Sequence, residues 1–129
     1  MNADLVTWLR QQLDEDEYAA KRAGADHPSW SYDRETFAIS SSAYSIAARK
    51  ADGSPLNDVD GEHIARHDPA RVLAEVDAKR RIIAEYERYA AERRRAMGGW
   101  DTRELSPILA ALALPYADRP GYRVEWQPA

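Results

Sequence analysis

The sequence predicts an α+β fold that is mainly helical, with three main helices, one short helix and a small antiparallel β-ribbon. Two observations support this fold class. Apolar side chains recur at helical spacing over three stretches of the chain, and the segment between the first two stretches is rich in aromatic and β-branched residues instead. The chain has 129 residues, which is a common size for one domain. We therefore expect a single domain over residues 1–129.

The first main helix is predicted over residues 3–23. Leu5, Leu9 and Leu13 recur at intervals of four residues, which places them on one helical face. A glycine follows at position 24, and glycine often ends a helix. The second half of this helix carries the acidic run at residues 14–17, which we expect to be a solvated face.

Residues 29–60 differ in character from the helical stretches. Trp30, Tyr32 and Ile39 belong to a set of aromatic and β-branched residues in partial alternation, which favours strands. We predict a β-ribbon of two or three short antiparallel strands within residues 29–56, with a helix over residues 43–51 as the alternative. A ribbon of this size is not stable alone and must pack on helices.

The longest helix is predicted over residues 69–97. Asp68 is a favoured N-cap residue, and Pro69 suits the first helical position, where a missing N–H has no consequence. One face of this helix is apolar. That face consists of Val72, Val76, Ile83, Tyr86 and Ala90, and it is widened by Ile82 and Tyr89. A pair of glycines ends the pattern.

Two shorter helical segments flank the long helix. The first is predicted over residues 61–67, where Asp60-Gly61 begins the pattern. The last main helix is predicted over residues 102–113, with Asp101 or Thr102 as its N-cap. Its apolar residues are Leu105, Ile108, Leu109 and Leu112. Aromatic residues after this helix predict that the C-terminal tail docks onto the fold.

The first candidate site is a pair of histidines four residues apart, His63 and His67. On a helix this spacing points both imidazoles to one side, which is how zinc is bound on helices. Asp14 and Glu17 on the first helix are the acids that would complete such a site for a divalent metal. Zinc sites usually have four ligands, so a motif that supplies two of them is weak evidence for a metal site. The alternative is that the histidines fix the corner before the long helix.

The second candidate site is the arginine-rich end of the long helix. Arg88, Arg93, Arg94 and Arg95 are the residues that would contact phosphate in a nucleic-acid accessory protein. Arginines in the last turn also complement the helix dipole, so they have an explanation without a ligand. The net charge of −4, from 18 basic and 22 acidic residues, argues against bulk binding of nucleic acid.

The chain lacks the motifs on which common enzyme classes depend. It has no cysteine, no Gly-rich phosphate loop and no G-x-S-x-G motif, so we predict no catalytic residue and no required cofactor. Four tryptophans and seven tyrosines suit interfaces. We therefore expect a non-enzymatic protein-interaction module with a protein partner, and a homodimer through the long helix is one form that it could take. The alternatives are a metal-binding protein or metal-dependent enzyme that uses His63 and His67, and a nucleic-acid-binding accessory protein. No apolar run reaches the ~20 residues of a membrane span, so the expected location is the cytoplasm.

Three segments resemble a domain-of-unknown-function family from actinobacteria and their phages. They are HIARHDPARVL at residues 63–73, LDEDE at residues 13–17 and LALPYADRPGYRVEW at residues 112–126. The resemblance implies an accessory protein of a phage or mobile element, and it carries no activity. It also implies cysteines before the closing segment that would complete a zinc site in relatives. This chain has Met97-Gly98-Gly99-Trp100 there, so the resemblance weakens the metal hypothesis.

Overall fold

Four α-helices and one three-stranded antiparallel sheet form within residues 1–99 and 104–129, which the computed structural model describes. The helices are α1 (Asn2–Gly24), α2 (Asp58–Arg66), α3 (Pro69–Ala96) and α4 (Pro107–Ala113). The strands are β1 (Ser31–Asp33), β2 (Ala38–Ser40) and β3 (Ser45–Ala47), and two 3₁₀ turns, Leu114–Tyr116 and Val124–Trp126, follow α4. The predicted α+β fold, mainly helical with a β-ribbon within residues 29–56, is confirmed. The alternative helix over residues 43–51 is wrong, because β3 lies there.

The short helix α2 begins three residues earlier than predicted. Asn57 is its N-cap, and the Asn57 side chain accepts a hydrogen bond from the Asp60 N–H at 2.7 Å. This contact satisfies one of the amide groups that a helix start leaves without an intrahelical partner. The predicted start at residue 61 was therefore wrong. The helix then ends at Arg66, one residue before the predicted end.

The start of the last helix also differs from the prediction. Ser106 is the N-cap of α4, its hydroxyl accepts a hydrogen bond from the Leu109 N–H at 3.4 Å, and Pro107 occupies the first helical position. Residues 104–106 are not helical. The predicted start at residue 102 and the predicted caps Asp101 and Thr102 lie outside the described residues.

The chain divides into two compact units, one of residues 1–15 and 77–129 and the other of residues 16–76. In the first unit, the predicted apolar face of α1 is buried at Leu5, Leu9 and Leu13. Ile83 of α3 and Leu109 of α4 are buried in the same unit. Whether the chain behaves as one domain over residues 1–129 stays a prediction.

The C-terminal tail packs on α1 in the first unit, as the sequence predicts. The Trp8 ring lies 5.6 Å from the Tyr122 ring and 5.5 Å from the Trp126 ring, distances at which aromatic pairs add stability beyond their buried area. The Trp8 indole N–H donates to the Pro120 carbonyl at 3.0 Å. Gly121 passes so close that an added Cβ would lie 2.8 Å from that indole nitrogen, so this position requires glycine.

The second unit is built on the sheet, in strand order β1-β2-β3. Ile39 of the central strand is fully buried, and it pairs with Tyr32 on one side and Ala47 on the other. Helix α2 packs closely on the Tyr32 ring at Gly61, where an added Cβ would lie 2.3 Å from a ring carbon. A side chain at position 61 would therefore push the helix away from the sheet.

Asp68 joins the start of α3 to the segment that enters β1. Its Oδ1 accepts a hydrogen bond from the Arg71 N–H at 2.8 Å, and its Oδ2 accepts one from the Trp30 N–H at 2.9 Å. The Ala70 N–H donates to the Pro28 carbonyl at 3.0 Å. Asp68 is nearly buried, so these hydrogen bonds are shielded from water. The Asp68-Pro69 sequence thus begins the helix and anchors a segment that is distant in sequence.

We expect Asp68→Ala to lower the free energy of unfolding by about 2 kcal/mol, because it removes an N-cap contact and a second buried hydrogen bond. Asp68→Asn should lose about half as much, because its amide oxygen can still cap α3 while its NH₂ cannot accept from Trp30. Urea denaturation checks both values. Asp77→Ala on the exposed side of α3 is the control, and its expected loss is below about 0.5 kcal/mol. Equal losses in all three variants would contradict the assigned role of Asp68.

Candidate functional site

The two predicted metal ligands of α2 lie side by side at its C-terminal end. The ring centroids of His63 and His67 are 4.4 Å apart, and both side chains are exposed. The Nδ1 atom of His67 lies 2.9 Å from the His63 carbonyl oxygen. Because that oxygen can only accept, this contact leaves the Nε2 atom of His67 as its available nitrogen. One turn of helix therefore brings the pair together as the spacing predicts.

The two predicted acid ligands are engaged with cations. Asp14 lies 2.8 Å from the Arg80 guanidinium, and Glu17 lies 2.9 Å from the Lys21 amine. Both acids are thus already neutralised by cations of the chain. Within residues 1–99 and 104–129, no group of three or more His, Asp or Glu side chains is placed to hold a metal ion. The metal hypothesis rests on the imidazole pair alone and stays a prediction.

A contact that the sequence did not predict joins Ser42 to His27. The His27 Nδ1 atom lies 3.0 Å from the Ser42 hydroxyl, a distance at which a histidine can activate a serine. The neighbouring N–H groups of Ala43 and Tyr44 both donate to the Ser41 hydroxyl, so they are not available to stabilise an oxyanion. We therefore interpret the pair as a link between the segment after α1 and the β2–β3 turn.

A polar cluster surrounds Tyr32 at the contact of β1 and α2. The Tyr32 hydroxyl donates to Asp58 at 3.0 Å, and Arg34 forms ion pairs with Glu62 and Asp58. Partial burial, followed by the hydrogen bond to the Asp58 carboxylate, raises the pKa of Tyr32 above its ordinary value. The cluster keeps the Tyr32 hydroxyl protonated and holds the Tyr32 ring against α2. Its role is therefore structural.

The arginines at the end of α3 differ in their surroundings. Arg88 is paired with Glu85 and Glu92, and these carboxylates raise the pKa of its guanidinium. It is therefore already neutralised within the helix. Arg93 and Arg95 are exposed and have no carboxylate partner among the described residues. Two positive charges at this helix end are thus unneutralised, in a chain of net charge −4.

Backbone contacts already satisfy the last carbonyl groups of α3. The N–H groups of Met97, Gly98 and Gly99 donate to the carbonyls of residues 93, 95 and 94, respectively, at 3.0, 3.3 and 2.7 Å. Both glycines have positive φ angles, which is how helices often end. The arginine side chains are therefore not needed as hydrogen-bond donors to these carbonyls.

A groove with a volume of about 260 Å³ lies in the first unit between the end of α3 and the start of α4. Three exposed apolar side chains line it, Tyr89, Met97 and Ile108, together with Arg93. We call this feature the α3–α4 groove. The side chains of Tyr89 and Ile108 are 56% and 57% exposed. Both lie on helix faces that the sequence predicts to be apolar, and both remain exposed.

The position of α4 beside α3 depends on a polar contact with the start of α1. The Asn2 side chain accepts a hydrogen bond from the Ser106 N–H at 2.9 Å and donates one to the Glu104 carbonyl at 2.8 Å. Asn2 thereby fixes the segment that enters α4. These partners are more than a hundred residues apart in sequence, so helical periodicity offered no signal for the groove.

The Tyr32 cluster predicts a specific pH dependence of stability. Since the folded state raises the pKa of Tyr32, its contribution is fully present below the unfolded value of about 10 and is lost as the pH rises through the folded value. Wild type should therefore be more stable than Tyr32→Phe at about pH 8, and this difference should shrink by about pH 11. Urea denaturation at both pH values measures it.

Tyr44→Phe is the control for that experiment, because the side chain of Tyr44 is half exposed and lies against His27 instead of a carboxylate. We expect the difference between wild type and Tyr44→Phe to stay constant over the same pH range. A difference for Tyr32→Phe that persists undiminished at high pH would contradict the raised pKa.

Within the described residues, no helix combines the length and the apolar character that crossing a membrane requires. A search of curated proteins and a search of solved structures each found no match. A family model does match, over residues 2–128 and thus nearly the whole chain. The chain therefore belongs to DUF6221, a family of unknown function.

Proposed function

We propose that the protein is a non-enzymatic interaction module that holds a segment of a protein partner in the α3–α4 groove. The observation that carries this proposal is the convergence of Tyr89, Met97 and Ile108 on one groove while all three remain exposed. Aromatic residues and methionine are enriched at protein interfaces. Clustered apolar side chains at a protein surface typically mark binding sites.

The size of the groove favours a short segment over a whole protein face. A standard interface has about 20–30 residues on each side, whereas twelve residues line the groove. Enclosed sites for small molecules have volumes of about 300–1,000 Å³, so the groove is also small for a metabolite. One or two anchoring side chains of a peptide fit it best.

The family resemblance supports one further part of the proposal. The segments at residues 13–17, 63–73 and 112–126 resemble a family from actinobacteria and their phages. We therefore propose that the module serves as an accessory protein of a phage or mobile element. Its partner would then be a protein with which such an accessory assembles.

Site-specific photo-cross-linking in the cells of origin tests the docking face. A photoreactive amino acid at position 108 should cross-link to a discrete protein, because Ile108 lies at the groove. The same amino acid at position 124 is the control, since Val124 is 80% exposed in the same unit and does not line the groove. Tyr89→Ala should lower the yield at position 108 by about tenfold, the usual effect of removing an interface anchor.

A cross-link to a second copy of the chain would assign the groove to self-association. Equal adducts from positions 108 and 124 would overturn the proposal, as would an absence of adducts from position 108. Tyr89 is largely exposed, so its replacement by alanine should leave the urea midpoint of the protein unchanged. That measurement separates a lost anchor from a lost fold.

A further inference from the structure

We infer that the occupant of the α3–α4 groove is an acidic amphipathic segment of a partner, and this inference rests on the proposed function. In this arrangement apolar side chains of the segment enter the groove between Tyr89, Met97 and Ile108. A carboxylate on the same segment pairs with Arg93 at the edge. The chemistry required of the partner is thus an apolar face flanked by aspartate or glutamate.

The Arg93 guanidinium at the groove has no carboxylate partner among the described residues. Arginines elsewhere in this unit have carboxylate partners: Arg10 with Glu87, Arg80 with Asp14, Arg88 with Glu85, and Arg123 with Asp4. Arg93 and Arg95 have none among the described residues, and Arg93 lines the groove. A carboxylate from outside the chain would complete the pattern that the rest of the unit follows.

The guanidinium groups of Arg93 and Arg95 are not needed as hydrogen-bond donors at the helix end. The carbonyl groups of residues 93–95 already accept hydrogen bonds from the backbone N–H groups of residues 97–99. Each guanidinium can therefore offer its planar fork to a carboxylate, which it matches in two parallel hydrogen bonds.

The apolar lining of the groove can adapt to the side chains of a partner. Methionine is flexible and polarisable, so Met97 can adapt to aliphatic or aromatic side chains of a partner. An amphipathic helix laid in an apolar groove is a recurrent mode of peptide recognition. The Tyr89 ring supplies rigid contact area with little loss of conformational entropy. The lining therefore recognises the apolar face of the segment, and the arginines recognise its acidic flank.

A protein segment fits these observations better than nucleic acid. Met97 and Ile108 offer no hydrogen bonds to phosphate or to base edges. The last turn of α3 holds three arginines, whereas a protein that depends on phosphate contacts typically makes about 6–10 of them.

The test is selection of displayed random peptides of about 15 residues, long enough for a marginal helix, against the purified full chain. We expect enriched peptides to combine apolar residues at helical spacing with aspartate or glutamate. Synthetic peptides from the enriched pool should bind Arg93→Glu at least about tenfold more weakly than wild type. Arg66→Glu is the matched control, because Arg66 is an exposed arginine on α2 without a carboxylate partner among the described residues. The peptides should bind this variant with the same affinity as wild type.

Two results separate this inference from the proposed function. Enriched peptides that lack acidic residues and bind Arg93→Glu normally, but fail to bind Tyr89→Ala, would overturn the inference and leave the docking groove in place. Peptides that bind Tyr89→Ala as well as wild type, or no enrichment at all, would overturn both. Binding of labelled single-stranded and duplex oligonucleotides to the purified full chain is measured in the same way. Binding of an oligonucleotide at low salt that Arg93→Glu removes and Arg66→Glu retains would assign the arginines to nucleic acid instead.

Discussion

The carboxylate of Asp68 is the contact on which the second unit depends. One of its oxygens caps α3 at Arg71, and the other holds the backbone of Trp30 at the entry to the sheet. A helix start and a strand start are thereby fixed by one nearly buried side chain. The neighbouring Pro69 has no N–H to satisfy, and the Ala70 N–H donates to the Pro28 carbonyl. Arg71 is therefore the first residue of α3 whose amide needs a side-chain acceptor. The sheet, α2 and the start of α3 are positioned around this corner.

Local patterns predicted the helices because the signals for them lie within a few residues. Leu5, Leu9 and Leu13 repeat every four positions and are all buried, and Asp68-Pro69 marks a helix start by chemistry alone. The start of α2 was missed because Asn57 caps it from a position outside the apolar pattern. Short-range periodicity reports which face of a helix is apolar, but it cannot report whether a neighbour covers that face.

The candidate groove illustrates this limit. Tyr89 and Ile108 each belong to an apolar helix face, yet both remain exposed. The segment that enters α4 is held by Asn2, which lies more than a hundred residues away in sequence. The paired histidines were predictable because they lie one helical turn apart, whereas the Ser42–His27 contact was not, because a strand pair brings those residues together. Long-range hydrogen bonds leave no periodic pattern in the sequence. They fix the positions of distant segments, and these positions determine which side chains stay exposed.

The packing of the C-terminal tail on α1 constrains the order in which the molecule can be completed during synthesis. The second unit is one continuous stretch of chain, so all its partners have left the ribosome once its last residue has emerged. The first unit includes residues 1–15, but its aromatic cluster lacks Tyr122 and Trp126 until more than a hundred further residues have been made. Trp8 therefore has neither ring partner until synthesis reaches residue 122. A chain cut off before that residue would lack both partners of Trp8, although every residue of the second unit would already have been made.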